Sequence, residues 1–77
     1  MDIKEQIVEI VAEILEMDST LIDSEQDLYE MEGFDSMRNV MILDRIEETF
    51  EVMIPEDDIF DITNINEWVE EIIKLKK

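Results

Sequence analysis

Apolar side chains recur at three- and four-residue spacing in three stretches of this chain, and that spacing constrains the fold more than any other feature. Residues 2–17 carry Ile3, Ile7, Ile10, Val11, Ile14 and Leu15 on one broad face, widened by Val8, with Lys4, Glu5, Glu9, Glu13 and Glu16 opposite. Asp2 suits the start of that helix by charge. Residues 36–51 carry a stripe of Val40, Leu43, Ile46 and Phe50 with Ile42 beside it, while Glu47, Glu48 and Glu51 lie outward. A last segment, capped by Thr63 or Asn64, presents Ile65, Trp68, Val69, Ile72, Ile73 and Leu75. Asn64 has Glu67 at capping-box spacing, and Lys74, Lys76 and Lys77 suit the negative end of the helix. Between the last two, residues 56–61 read as a short helical turn after Pro55. Glu56, Asp57 and Asp58 stand at its positive end, with Ile59 and Phe60 as its apolar contacts. The expected architecture is all-α: a small four-helix bundle of three longer helices and one short helix.

The first two helices are joined by a long loop over residues 18–35. Leu21, Ile22, Leu28 and Tyr29 are its expected anchors on the core. A structureless loop of this length is unusual in a small domain and often functional. It is not a calcium loop: counted from Asp23, the glycine position holds Leu28 and the closing position holds Phe34. It ends in Gly33-Phe34-Asp35-Ser36-Met37, and Gly33 is the sole glycine. Glycine takes positive φ at no steric cost, so Gly33 marks a sharp turn that leaves Ser36 exposed where a helix starts. The plainest reading of Asp35 and Ser36 is as helix caps. Ser36 lacks the partner of a capping box, since Asn39 holds the position where Glu or Gln belongs.

Composition narrows the functional classes. The chain has 77 residues, one small domain over 1–77, and cannot hold both a deep catalytic cleft and a separate scaffold. With 23 acidic against 6 basic residues its formal charge is −17. Such a surface repels nucleic acid and anionic membranes and favours partners with basic patches. There is no cysteine and no histidine, which removes disulfides, thiol nucleophiles, serine–histidine pairs and the usual zinc sites. No nucleophile–base pair can be drawn, so a free-standing enzyme is not expected. No signal peptide or membrane-spanning segment is visible, and a cytoplasmic monomer is the default expectation.

With these elements in place, the chain resembles the acyl carrier protein family over nearly its full length. Gly33-Phe34-Asp35-Ser36-Met37 is similar to the family's Gly-x-Asp-Ser-Leu motif, with Met37 in the leucine place. The anchored loop before it also matches. So does the acidic helix end and Ile-Pro step of Ile46-Glu47-Glu48-Thr49-Phe50-Glu51-Val52-Met53-Ile54-Pro55. A short acidic helix and Ile62-Thr63-Asn64-Ile65 complete the likeness.

The resemblance implies a non-catalytic carrier. In that family the serine hydroxyl, here Ser36, takes 4′-phosphopantetheine from coenzyme A through a phosphopantetheinyl transferase. The arm's thiol then holds acyl groups as thioesters, so a chain without cysteine needs none of its own. Asp35 matches the aspartate near which the transferase places its metal and substrate. The implied further partners are acyl-transferring or acyl-activating enzymes with basic patches, meeting Met37, Arg38, Met41, Glu47 and Glu48. Fatty-acid-type carriers usually have an acidic residue where Arg38 stands and glutamate where Met41 stands. That departure points to a specialised pathway in fatty acid, polyketide, peptide-type or lipid biosynthesis. For Met37 and Met41, filling gaps in the core stands equal to partner contact. The alternative function is an unmodified helical adaptor with the same fold, in which Ser36 is only a cap.

Overall fold

A computed structural model describes residues 2–76, and all of its regular elements are helical. Helix α1 spans Ile3–Leu15, α2 Ser36–Phe50, α3 Glu56–Ile59 and α4 Ile65–Leu75, with single 3₁₀ turns at Ser19–Leu21 and Leu28–Glu30 inside the long loop. Three longer helices and one short one are the architecture the spacing predicts. Helix α1 packs against both α2 and α4. Its buried face is Ile7, Ile10, Val11, Ala12, Ile14 and Leu15. Lys77, expected at the negative end of α4, lies outside the described residues.

Caps explain most boundaries. Asp2 accepts the Glu5 N–H at 2.8 Å at the start of α1, and Asn64 accepts the Glu67 N–H at 2.8 Å at the start of α4. Glu67 reaches back in turn, but to Thr63, accepting its N–H at 2.7 Å and its hydroxyl at 2.6 Å. These bonds, the hydroxyl's first, hold the Glu67 carboxyl below its ordinary range. Helices α1 and α2 both stop through a left-handed glutamate, Glu16 and Glu51, each at φ 56°. The next residue's N–H then returns to the helix, Met17 to the Ala12 carbonyl and Val52 to the Glu47 carbonyl.

The stripe expected on α2 is rotated. Ile42, Ile46 and Phe50 are its buried residues, Leu43 is half-buried, and Val40 is 53% exposed. Two apolar rows at helical spacing run along this helix, and only one can face α1. Ile73, assigned to the buried face of α4, is also exposed, and Glu71 is buried there instead. Phe60, expected to contact the core, is 81% exposed, whereas Ile59 does pack against it.

The long loop is more ordered than expected. Asp18 and Asp27 cap its two 3₁₀ turns, accepting from Thr20 N–H and Tyr29 N–H, each at 2.9 Å. Leu28 and Met31 are buried and Ile22 packs on the core, while Leu21 and Tyr29, taken as anchors, are exposed. Backbone bonds then staple the loop to the start of α4. The Leu28 N–H donates to the Thr63 carbonyl at 2.7 Å and the Asn66 N–H to the Ser24 carbonyl at 3.2 Å. The middle of the loop is thereby fixed relative to the start of α4.

Candidate functional site

The junction between loop and α2 is built by four residues. Gly33 turns the chain at φ +84°, the positive value its sequence position predicts. Phe34 follows, its ring half-buried and edge-on to Tyr29 at 5.1 Å between centroids. Asp35 is extended and is the N-cap of α2: its Oδ1 accepts the Arg38 N–H at 2.8 Å. Ser36 is the first helical residue and is exposed. Capping therefore falls to Asp35, and the Ser36 hydroxyl makes no hydrogen bond to another described residue.

Position gives that hydroxyl its chemistry. A residue in the first turn of a 15-residue helix sits at the positive end of the aligned peptide dipoles, beside N–H groups with no helical acceptor. A phosphate ester formed there is stabilised by the helix itself. Among the described residues, no side chain hydrogen-bonds to the Ser36 hydroxyl.

The other candidate residues separate into two groups. Met37 and Met41 are 73% and 47% exposed, so they do not fill core gaps. With Val40 they form the outer apolar row of α2, directly following Ser36. Glu48 is exposed as expected. Arg38 and Glu47 differ from expectation. The Arg38 side chain is half-buried and turns back, its Nη1 donating to the Gly33 carbonyl at 2.8 Å. Glu47, expected outward, is half-buried, and its Oε2 accepts the Ile54 N–H at 2.8 Å. Both are short reaches onto local backbone, Arg38 back and Glu47 forward, which helical periodicity does not encode.

Beside Ser36 runs an open groove of about 660 Å³ lined by Tyr29, Ser36, Asn39, Val40, Leu43, Glu56, Ile59 and Phe60. Tyr29 and Phe60, expected to contact the core, are instead groove walls. No periodic signal marks them, because one sits on a single-turn 3₁₀ segment and the other just after a four-residue helix. A second depression of about 500 Å³ lies between the end of α1 and the loop and includes Gly33 but not Ser36. Among the described residues no cluster of three or more His, Cys, Asp or Glu could hold a metal ion, and no helix is long and apolar enough to cross a membrane.

Comparison with known proteins follows the same residues. The sequence pattern of the family described as "Phosphopantetheine attachment site" matches residues 5–72. The chain is similar to the D-alanyl carrier protein of Lactobacillus delbrueckii subsp. bulgaricus. The two are 37% identical over 78 residues, covering 99% of this chain and 96% of that protein. It is also similar to the acyl carrier protein of Campylobacter jejuni subsp. doylei, at 37% identity over 68 residues, covering 88% of each.

Proposed function

Because the chain belongs to the phosphopantetheine-attachment family of carrier proteins, which tether cargo on a 4′-phosphopantetheine group and are not themselves catalytic, we propose that Ser36 is its attachment residue. The observation that carries this reading is the exposed Ser36 hydroxyl at the first position of α2, without a hydrogen bond among the described residues, with the capping task already met by Asp35. In loading, the Ser36 Oγ attacks the phosphorus of coenzyme A that bears the pantetheine, and the adenosine bisphosphate leaves. The hydroxyl proton passes to a base of the phosphopantetheinyl transferase. Asp35 keeps one carboxylate oxygen on the Arg38 N–H, and the other would be free to face a metal held by the transferase. The attached phosphate then sits at the positive end of α2. The arm supplies the thiol on which acyl groups ride as thioesters.

The cargo belongs to a specialised pathway rather than to housekeeping fatty acid synthesis. Enzymes that handle carriers meet the surface next to the attachment point, and here that surface is the apolar row of Met37, Val40 and Met41 with Glu48 further along α2. Methionine offers an adaptable apolar contact where a charge pair would otherwise select the partner. The likeness to a D-alanyl carrier protein over nearly the whole of both chains favours an aminoacyl cargo, D-alanyl being the first to test. The excess of acidic residues agrees with partners that present basic patches, and with a cargo that bears an ammonium group.

Two arms test this reading. Protein loaded with the arm is offered D-alanine, ATP and a D-alanine-adenylating ligase, or malonyl-coenzyme A and a fatty-acid-pathway transacylase. Faster formation of the D-alanyl thioester is expected, with Met41→Glu raising malonyl transfer. Malonyl transfer at the rate of a housekeeping carrier, unchanged by Met41→Glu, contradicts the specialised pathway. Failure to accept the arm at all would leave the helical adaptor as the reading.

A further inference from the structure

We propose that Arg38 is a positioning residue for loading of Ser36, a latch that holds the turn in front of the attachment serine rather than a cation displayed to partners. The proposal rests on Ser36 as the attachment residue.

Arg38 closes the turn twice. Its backbone N–H donates to Asp35 Oδ1 at 2.8 Å, and its guanidinium Nη1 donates to the Gly33 carbonyl at 2.8 Å. The two bonds bracket Phe34, Asp35 and Ser36, so one residue fixes both the residue before the helix and the bend two residues earlier. The second bond is charge-assisted, the stronger kind, and it satisfies a carbonyl that the left-handed turn at Gly33 leaves outside any helix. The fit is close: a Cβ at Gly33 would sit 3.1 Å from Arg38 Nη1. Glycine is thus favoured by its φ of +84°, and a Cβ there would press on the guanidinium laid against it.

An exposed junction held this way reaches the transferase already shaped. Without the latch, Gly33 through Asp35 samples other conformations, and binding must select the competent fraction, which raises the apparent KM in proportion. The same geometry changes what a substitution at position 38 means. An acidic residue there removes the Gly33 bond along with the positive charge, so Arg38→Asp tests turn order before it tests recognition.

The test is loading kinetics with a broad-specificity phosphopantetheinyl transferase, joined to amide hydrogen exchange. Arg38→Ala should lower kcat/KM roughly tenfold, the size of one charge-assisted hydrogen bond, mainly through KM. Exchange should speed up at Phe34, whose N–H donates to the Met31 carbonyl at 3.2 Å, while the amides of α1 and α4 stay protected. Gly33→Ala should load poorly as well. The double variant should do less harm than the product of the two single effects, because part of the Gly33→Ala effect, beyond its φ strain, acts through the contact that Arg38→Ala already removes. Arg38→Ala loading at the wild-type rate, unchanged exchange at Phe34, or fully multiplicative effects would each overturn the latch. Wild-type protein that takes no arm overturns the Ser36 reading and this role with it, and the exchange arm then still reports whether Arg38 orders the turn.

Discussion

Glu47 accepts the backbone N–H of Ile54 through Oε2 at 2.8 Å, a bond that spans the whole turn leaving α2. The Glu47 carbonyl also accepts from the N–H groups of Glu51 and Val52. One residue thus ties down the left-handed Glu51 and carries the chain to Ile54, which is buried, and on to Pro55. Helix α3, one wall of the groove beside Ser36, begins directly after it.

Glu47→Ala should therefore destabilise the fold by about 1.5–3 kcal/mol, the range for a hydrogen bond to a charged group. Glu48→Ala, at an exposed neighbouring position, should stay within about 0.5 kcal/mol of wild type. Urea unfolding followed by circular dichroism measures both. Equal effects would mean that the Glu47 bond contributes nothing to the turn.

A different carboxylate opposes folding at neutral pH. Glu71 is 8% exposed, and its Oε2 is buried without a hydrogen-bond partner among the described residues. Its Oε1 lies 3.8 Å from Lys74 Nζ, which also sits 3.5 Å from Asp58 Oδ2 on α3. Burial, then the neighbouring Asp58 carboxylate, push the Glu71 carboxyl above its ordinary range, and Lys74 only partly offsets them. The folded state therefore holds this proton more tightly than the unfolded chain. Stability from Glu71 is fully present at pH below the ordinary carboxylate value and is lost as pH rises through the folded value. Glu67 works in the opposite sense: its carboxyl is lowered, so its contribution is lost as pH falls. Glu71→Gln should raise Tm at pH 7 by several degrees, since about 1 kcal/mol corresponds to about 4–8 °C in a domain of this size. The gain should shrink toward pH 4. A thermal series from pH 4 to pH 8 decides it, and a gain that does not depend on pH would contradict the account.

Charge also acts over the whole surface. With a formal charge of −17, self-repulsion weakens the compact state, and salt with a Debye length near 10 Å at about 0.1 M screens it. Tm should rise with sodium chloride, and further with millimolar magnesium. The exposed ion pair of Arg45 and Glu13, 3.2 Å apart, pulls the other way only weakly. A flat Tm across the series would show the charges to be too dispersed to matter.

The helices, Gly33 and the Ser36 junction were legible because their signals are local. Spacing of Ile7, Ile10, Val11 and Ile14 defines a face, and a lone glycine defines a turn. What sequence did not resolve was orientation. Helix α2 has two apolar rows, and choosing Ile42 and Ile46 over Val40 requires knowing where α1 lies. Arg38 and Glu47 were read as surface charges because the carbonyl and N–H they bind, at Gly33 and Ile54, carry no side-chain signature. Tyr29 and Phe60 were read as core because apolar residues usually are, and in a short loop or after a short helix no periodicity corrects that. The buried Glu71 is hidden for a different reason: its spacing from Trp68 and Ile72 puts it on the apolar face of α4, but glutamate on a helix reads as solvent-facing.

The most direct measurement of the central claim is intact and fragment mass after incubation with coenzyme A, magnesium and a broad-specificity phosphopantetheinyl transferase. Wild-type protein should gain one phosphopantetheinyl group, located by fragmentation on Ser36. Ser36→Ala should gain none while keeping near-native helical circular dichroism, because Asp35 rather than Ser36 caps α2. Ser19→Ala and Ser24→Ala should load like wild type. A Ser36→Ala protein that still gains the group, or a wild-type protein that never does, would contradict the assignment of Ser36.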